Sequence, residues 1–146
     1  ACSLNDGYSS LTEKGFEVVA REDTNGTFDS ALEAAKKILN EQPDITAIMC
    51  GNDQMAVAAK TALNLAGNDQ TVVYSIDGSP DIKKELKKAD GQIAGTVAQS
   101  PVNIGKKAVD IALDILEGKD FEKETSVDVF MINKENVEMY GADGWQ

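Results

Sequence analysis

Histidine is absent from the 146 residues. Without an imidazole, His-based triads, the usual imidazole metal sites and the commonest general base are all excluded, so hydrolytic chemistry is disfavoured. No apolar run approaches the roughly 20 residues a membrane-spanning helix needs, and no basic segment followed by an apolar one opens the chain. A soluble chain, already processed or cut, is expected. Basic residues are outnumbered, 14 against 25 acidic, and the net charge of −11 repels nucleic-acid backbones and anionic membrane surfaces. Cysteine is scarce: Cys2 and Cys50 lie far apart and are read as unpaired small side chains, a disulfide between them being the unsupported alternative. A Gly-rich phosphate cradle of the dinucleotide or P-loop kind is missing, as are repeats and low-complexity segments.

What is present is enough apolar residue, 42%, to bury an ordinary core in a chain of one-domain length. The organising stretch is Ile45-Thr46-Ala47-Ile48-Met49-Cys50-Gly51-Asn52-Asp53-Gln54-Met55-Ala56. Its first half is too short for a stable helix and lacks polar alternation, which fits a strand buried on both faces of a parallel sheet. Gly51-Asn52-Asp53 ends that strand, and Met55, Ala56, Ala59, Leu63 and Leu65 recur at helical spacing. The turn thus stands at the carboxyl end of a strand, the edge at which open α/β sheets bind ligands. Asn52 and Asp53 either only cap the helix or also present an amide to a cleft.

The same rhythm runs through the chain. Leu4, Tyr8 and Leu11 predict a helix before Lys14-Gly15, and Phe16 to Ala20 read as a strand ending in the turn-rich Glu22 to Thr27. Phe28, Leu32, Ala35 and Leu39 form the stripe of a helix over Phe28 to Asn40. Phe28 belongs to that stripe, or stands at the helix head where an aromatic can face a ligand. Thr71 to Ile76 is a third strand, ended by Asp77-Gly78-Ser79-Pro80. Asp81 to Lys88 is a short helix with Ile82 and Leu86 inward and its lysines on a solvated face. Ile93 to Ala98 is a fourth strand, and Gln99-Ser100-Pro101 starts a helix from Val102 to Leu116 with Ile104, Ala108, Ile111, Ala112 and Ile115 on its apolar face. Thr125 to Ile132 alternates as a last strand before a polar tail containing Trp145.

Strand and helix in alternation predict a right-handed, mostly parallel α/β sheet. Four strand ends then bring Asn25 and Gly26, Asn52 and Asp53, Asp77 and Gly78, and Gln99 to one edge. Hydrogen-bonding side chains without a nucleophile, base or metal cluster describe a polar binding site, and amides and carboxylates suit neutral polyhydroxy ligands. No cofactor or metal is called for.

The stretches Pro43 to Ala56, Tyr74 to Asp81, and Ile93 to Pro101 with Ile104-Gly105 closely resemble the C-terminal half of type I periplasmic sugar-binding proteins, the ribose- and galactose-type components of ABC transporters. The resemblance implies a lobe of three-layer α/β/α architecture, incomplete here. It also implies that the asparagine of N-D-x-M-A, the aspartate of D-G-x-P-D and the glutamine of A-Q-x-P bond sugar hydroxyls; these are Asn52, Asp77 and Gln99. Asn25 and Phe28 join them as weaker candidates, Phe28 standing a residue or two out of register with the family's aromatic. An arginine usual near the first helix has no counterpart in Ala1-Cys2-Ser3. The chain resembles only the second lobe, without that lobe's first strand, and the segment 101–146 is the one that in the family returns to the first lobe.

A small-molecule sugar ligand, a membrane permease as partner and an extracytoplasmic location, periplasmic or lipid-anchored, follow from the resemblance. The missing strand leaves backbone groups unpaired, so self-association of the fragment is a further expectation. The competing readings are the effector-binding core of a LacI-type transcription regulator, which shares the fold, and the sensing lobe of a receptor. An enzyme would need a paired acid and base; Asp53 and Asp77 could stand near one another, yet nothing in the sequence indicates a perturbed pair.

Overall fold

Three short runs of apolar and small residues become parallel strands because each is followed by an amphipathic helix long enough to carry the chain back to the other edge. The computed structural model describes residues 10–89 and 91–145. Helix α1 is Phe28–Glu41, strand β1 Ala47–Met49 and helix α2 Asp53–Ala66. Strand β2 is Val72–Asp77, helix α3 Pro80–Leu86, strand β3 Ile93–Ala98, helix α4 Pro101–Leu116 and strand β4 Phe130–Asn133, and a 3-10 turn follows at Val137–Tyr140. The sheet order is β1-β2-β3-β4. β1 to β3 are parallel, with Ile48 beside Val73 and Ser75 beside Thr96, and β4 closes antiparallel with Thr96 beside Ile132. The chain is therefore α/β with a mostly parallel sheet.

The helix ends follow from local chemistry. The Asn52 side chain caps α2 by accepting from the Met55 amide, and Gly67 stops it in the left-handed region at φ +66°. Ser79 caps α3 and Ser100 caps α4, each followed by proline at a first-turn position where no amide partner is needed. Ala31, Ala35 and Leu39 of α1 are buried, and α1 packs along α2, whose Ala56, Ala59 and Ala62 leave room for close approach. Leu63, Val73, Ile82, Leu86, Ile93 and Ile132 complete the core under these helices. Truncating Leu63 to alanine there would cost about 2–5 kcal/mol.

Because strand order advances steadily from β1 to β3, right-handed crossovers put α2 and α3 on one face of the sheet. On the opposite face Met49, Val72 and Met131 remain accessible, so two of the three expected layers are seen among the described residues. The helix expected before Gly15 lies largely outside the described residues; residues 10–13 are helical.

Several expectations are corrected. Residues 16–20 form no strand: Phe16, Val18 and Val19 are exposed, and among the described residues nothing pairs with the outer edge of β1, without which an extended run is not a strand. β1 is shorter than its apolar run and, as an edge strand, is not buried on both faces; Met49 is exposed. The last strand covers Phe130–Asn133, a shorter stretch than the alternation from Thr125 suggests. Lys83 is buried, not on the solvated face with its neighbours. The apolar stripe of α4 is there, but no residue of the helix is buried.

Candidate functional site

Three parallel strands end at the same edge, and their carboxyl ends carry the polar residues picked out by spacing. Asn52 follows β1, Asp77 closes β2 and Gln99 follows β3. Gln99 and Asp77 meet directly: the Gln99 Nε2 donates to Asp77 Oδ1 at 3.0 Å, and the Gln99 amide donates to the Asp77 carbonyl at 3.1 Å. Asn52 does two things with one side chain. Its Oδ1 accepts from the Met55 amide at 2.8 Å, and its Nδ2 donates to the Gly26 carbonyl at 3.0 Å, which ties the Asn25–Gly26 turn to this edge. One amide hydrogen and one carbonyl lone pair of Asn52 remain to offer. Asn25 is exposed, at φ +50°, and its amide donates to Asp23 Oδ1. Phe28 is half-buried at the head of α1, outside the core cluster.

Beneath this edge lies a network that spacing alone did not reveal. Asp53 is buried, and its Oδ1 accepts from Ser75 Oγ at 2.5 Å and from Thr96 Oγ1 at 2.8 Å. Its Oδ2 accepts from the Ser79 amide at 2.6 Å, and Thr96 Oγ1 in turn accepts from the Gly78 amide at 3.1 Å. One carboxylate thus joins the start of α2 to β2, β3 and the turn that carries Asp77. That turn needs holding, because Asp77 sits at φ +128° and Gly78 at φ +76°, regions that ordinary side chains avoid. The only signal in the sequence is a polar residue, Ser75 or Thr96, inside an otherwise apolar strand.

Electrostatics follow from the same packing. Burial pushes the Asp77 carboxyl above the ordinary aspartate range, and the charge of Asp53 pushes it further, against the hydrogen bond from Gln99. Burial, with Asp53 adding to it, raises the Cys50 thiol to about 12, which makes it a poor nucleophile at neutral pH. Among the described residues no group of three or more His, Cys, Asp or Glu side chains is placed to hold a metal ion, and no helix is long and apolar enough to cross a membrane.

A cavity of about 610 Å³ opens at this edge, lined by Asp77, Gln99, Pro101, Val102, Ile104 and Trp145. Asn25, Phe28 and Asn52 lie outside that lining. Its size suits a small-molecule ligand. Trp145 on its wall had no signal in the sequence beyond being an aromatic in a polar tail.

Comparison with known proteins agrees with this architecture. The sequence model of the family described as periplasmic binding protein domain matches residues 4–120. The ribose import binding protein RbsB of Salmonella typhimurium is 34% identical over 120 residues, which cover 82% of this chain and 40% of that protein. The chain therefore spans less than half the length of this relative. Among solved structures, an ABC transporter solute-binding protein from Bacillus halodurans with bound myo-inositol superposes with a TM-score of 0.84 at 28% identity, over 94% of this chain and 48% of that one. One from Actinobacillus succinogenes with bound D-allose gives 0.79 at 29% identity, over 85% and 44%. With the fold, the strand-end motifs and these matches in agreement, the chain belongs to the periplasmic binding protein family.

Proposed function

We propose that this chain is the second lobe of an extracytoplasmic substrate-binding component of an ABC transporter, and that it takes a sugar or cyclitol between itself and a first lobe for delivery to a membrane permease. The observation that carries the reading is the Gln99–Asp77 pair in the lining of the cavity. A carboxylate that accepts and an amide that both donates and accepts, already fixed against each other, can each engage a ring hydroxyl at little cost in ordering. The remaining hydrogen of Asn52, at the neighbouring strand end but outside the cavity lining, is a third candidate contact, with Asn25 and Phe28 as further candidates outside it. No general acid, base or nucleophile is assigned, so the chain binds its ligand without transforming it.

The uncovered stripe of α4 supports the two-lobe reading. Val109, Leu113 and Leu116, spaced i, i+4 and i+7, are exposed on one side of a helix capped by Ser100, an apolar face built for burial. In this proposal the chain crosses to the first lobe at the start of segment 101–146, α4 packs there, and the chain returns to this lobe at β4.

The test is calorimetric and NMR titration of the chain, alone and joined to its first lobe, with D-ribose, D-allose and myo-inositol. The expected result is saturable binding by one of them, weakened by about 1–3 kcal/mol in Asp77→Ala and Gln99→Ala, since each removes a buried hydrogen bond. Binding unchanged in both variants, or no binding by any polyol to the two-lobe protein, would overturn the reading.

A further inference from the structure

The tail beyond β4 is tied back to the body by a lysine. Lys83 is buried within α3, and its Nζ donates to the Gly144 carbonyl at 2.5 Å. Burial pushes this lysine below its usual pKa, opposed by the nearby charge of Asp143. Further contacts hold the same tail: Val137 is buried, the Tyr140 ring stacks on Phe130 with centroids 5.0 Å apart, and Lys87 pairs with Glu138 at 2.8 Å. The residue after Gly144 is Trp145, which is thereby delivered to the wall of the cavity that Asp77 and Gln99 also line. The residue is 49% exposed, and the tail lies beyond residues 4–120 that match the family.

Burying an ammonium group is costly unless it is paired or hydrogen-bonded, and Lys83 is bonded to the Gly144 carbonyl. That bond holds the backbone next to a large aromatic that stays about half exposed. We propose that Trp145 is a ligand-contact residue, its indole face taking the C–H face of a saturated polyhydroxy ring whose edge hydroxyls bond to Asp77 and Gln99. Such a ring is amphipathic, with hydroxyls around its rim and hydrocarbon faces. The cavity is amphipathic in the matching sense: the Asp77–Gln99 pair is polar, while Trp145, Val102 and Ile104 are apolar. The inference rests on the binding reading above and adds a specificity element, favouring cyclic polyols over their open-chain counterparts.

Trp145 is the only tryptophan in the chain, so indole emission reports on this one position. Emission and the side-chain amide resonance of Gln99 would be followed together while myo-inositol, D-allose and the open-chain allitol are titrated in. The proposal expects emission and resonance to saturate at the same concentration with a cyclic polyol. Trp145→Ala should weaken binding about three- to tenfold with Gln99 still responding, and Trp145→Phe should recover most of the loss. Lys83→Met, which keeps the packed volume but releases Gly144, should shift emission towards that of exposed indole and weaken binding alike. Should Gln99 respond while emission stays unchanged and Trp145→Ala binds as the parent does, the proposal is overturned and the Asp77–Gln99 site stands. Silence of both probes towards every polyol overturns the site and the proposal together.

Discussion

The Asp53 carboxylate, in the first turn of α2, accepts a hydrogen bond from the backbone amide of Ser79, 26 residues further on, at 2.6 Å. With Ser75 and Thr96 on its other oxygen, it fixes the turn that carries Asp77 and brackets the candidate site from below. Replacing Asp53 by alanine leaves two buried hydroxyls and an amide without their acceptor. The expected loss of stability is about 3 kcal/mol or more, with Asp53→Asn losing less, measured by urea denaturation.

The turn itself is sterically closed. A Cβ built on Gly78 would lie 2.5 Å from the Ala98 Cβ and 2.8 Å from its Cα, at a φ of +76° that side chains resist. Gly78→Ala is expected to cost about 2–4 kcal/mol, from strain and overpacking together, and to shift the Gln99 amide resonances as the Asp77–Gln99 pair is displaced.

Asp77 gives a pH dependence of definite sign. Burial first, and then the charge of Asp53, raise its folded pKa above the ordinary value of 3.8, so in that window the folded state binds more protons than the unfolded one. The favourable contribution is fully present below 3.8 and is lost as pH rises through the raised value. Asp77→Asn, which keeps an acceptor for Gln99, is expected to remove this loss. Its denaturation midpoint should fall less with rising pH over that window than the parent's, and a steeper fall would refute the assignment.

Thr24 is buried with its hydroxyl lacking a hydrogen-bond partner among the described residues. Thr24→Val keeps the shape and removes the unsatisfied group, so a gain of about 1 kcal/mol is expected. A loss of stability on calorimetry would mean that the hydroxyl has a partner in solution.

Among the described residues the sheet ends at β1, and α4 buries none of its residues. In a parallel ladder alternate residues point their amides to opposite sides, so pairing of Ile48 with β2 leaves Ala47 and Met49 facing outward. The isolated chain is expected to associate with concentration in sedimentation velocity, and Ile104→Lys with Ile111→Lys on α4 should reduce that association. A monomer at all concentrations would show that both surfaces are closed in solution.

The sequence by itself determined the order of strands and helices from β1 onward, their caps and the edge on which the polar residues gather. Those features depend on local chemistry: Asn52 before a helical stripe, proline after Ser79 and Ser100, an apolar run too short for a helix. The edge follows because parallel strands joined by helices must all end on the same side. Tertiary structure decided the rest. Phe16 to Ala20 have strand composition, yet a strand is made by pairing, and among the described residues nothing pairs with the outer edge of β1. Lys83 and the exposed Lys84 are alike as sequence, and only docking of the tail sets one of them against Gly144. The three donors on Asp53, the pairing of Asp77 with Gln99 and the placing of Trp145 beside them join residues far apart in the chain. Local propensity carries no information about such contacts, because their energy arises only once packing has removed water and brought the partners within reach.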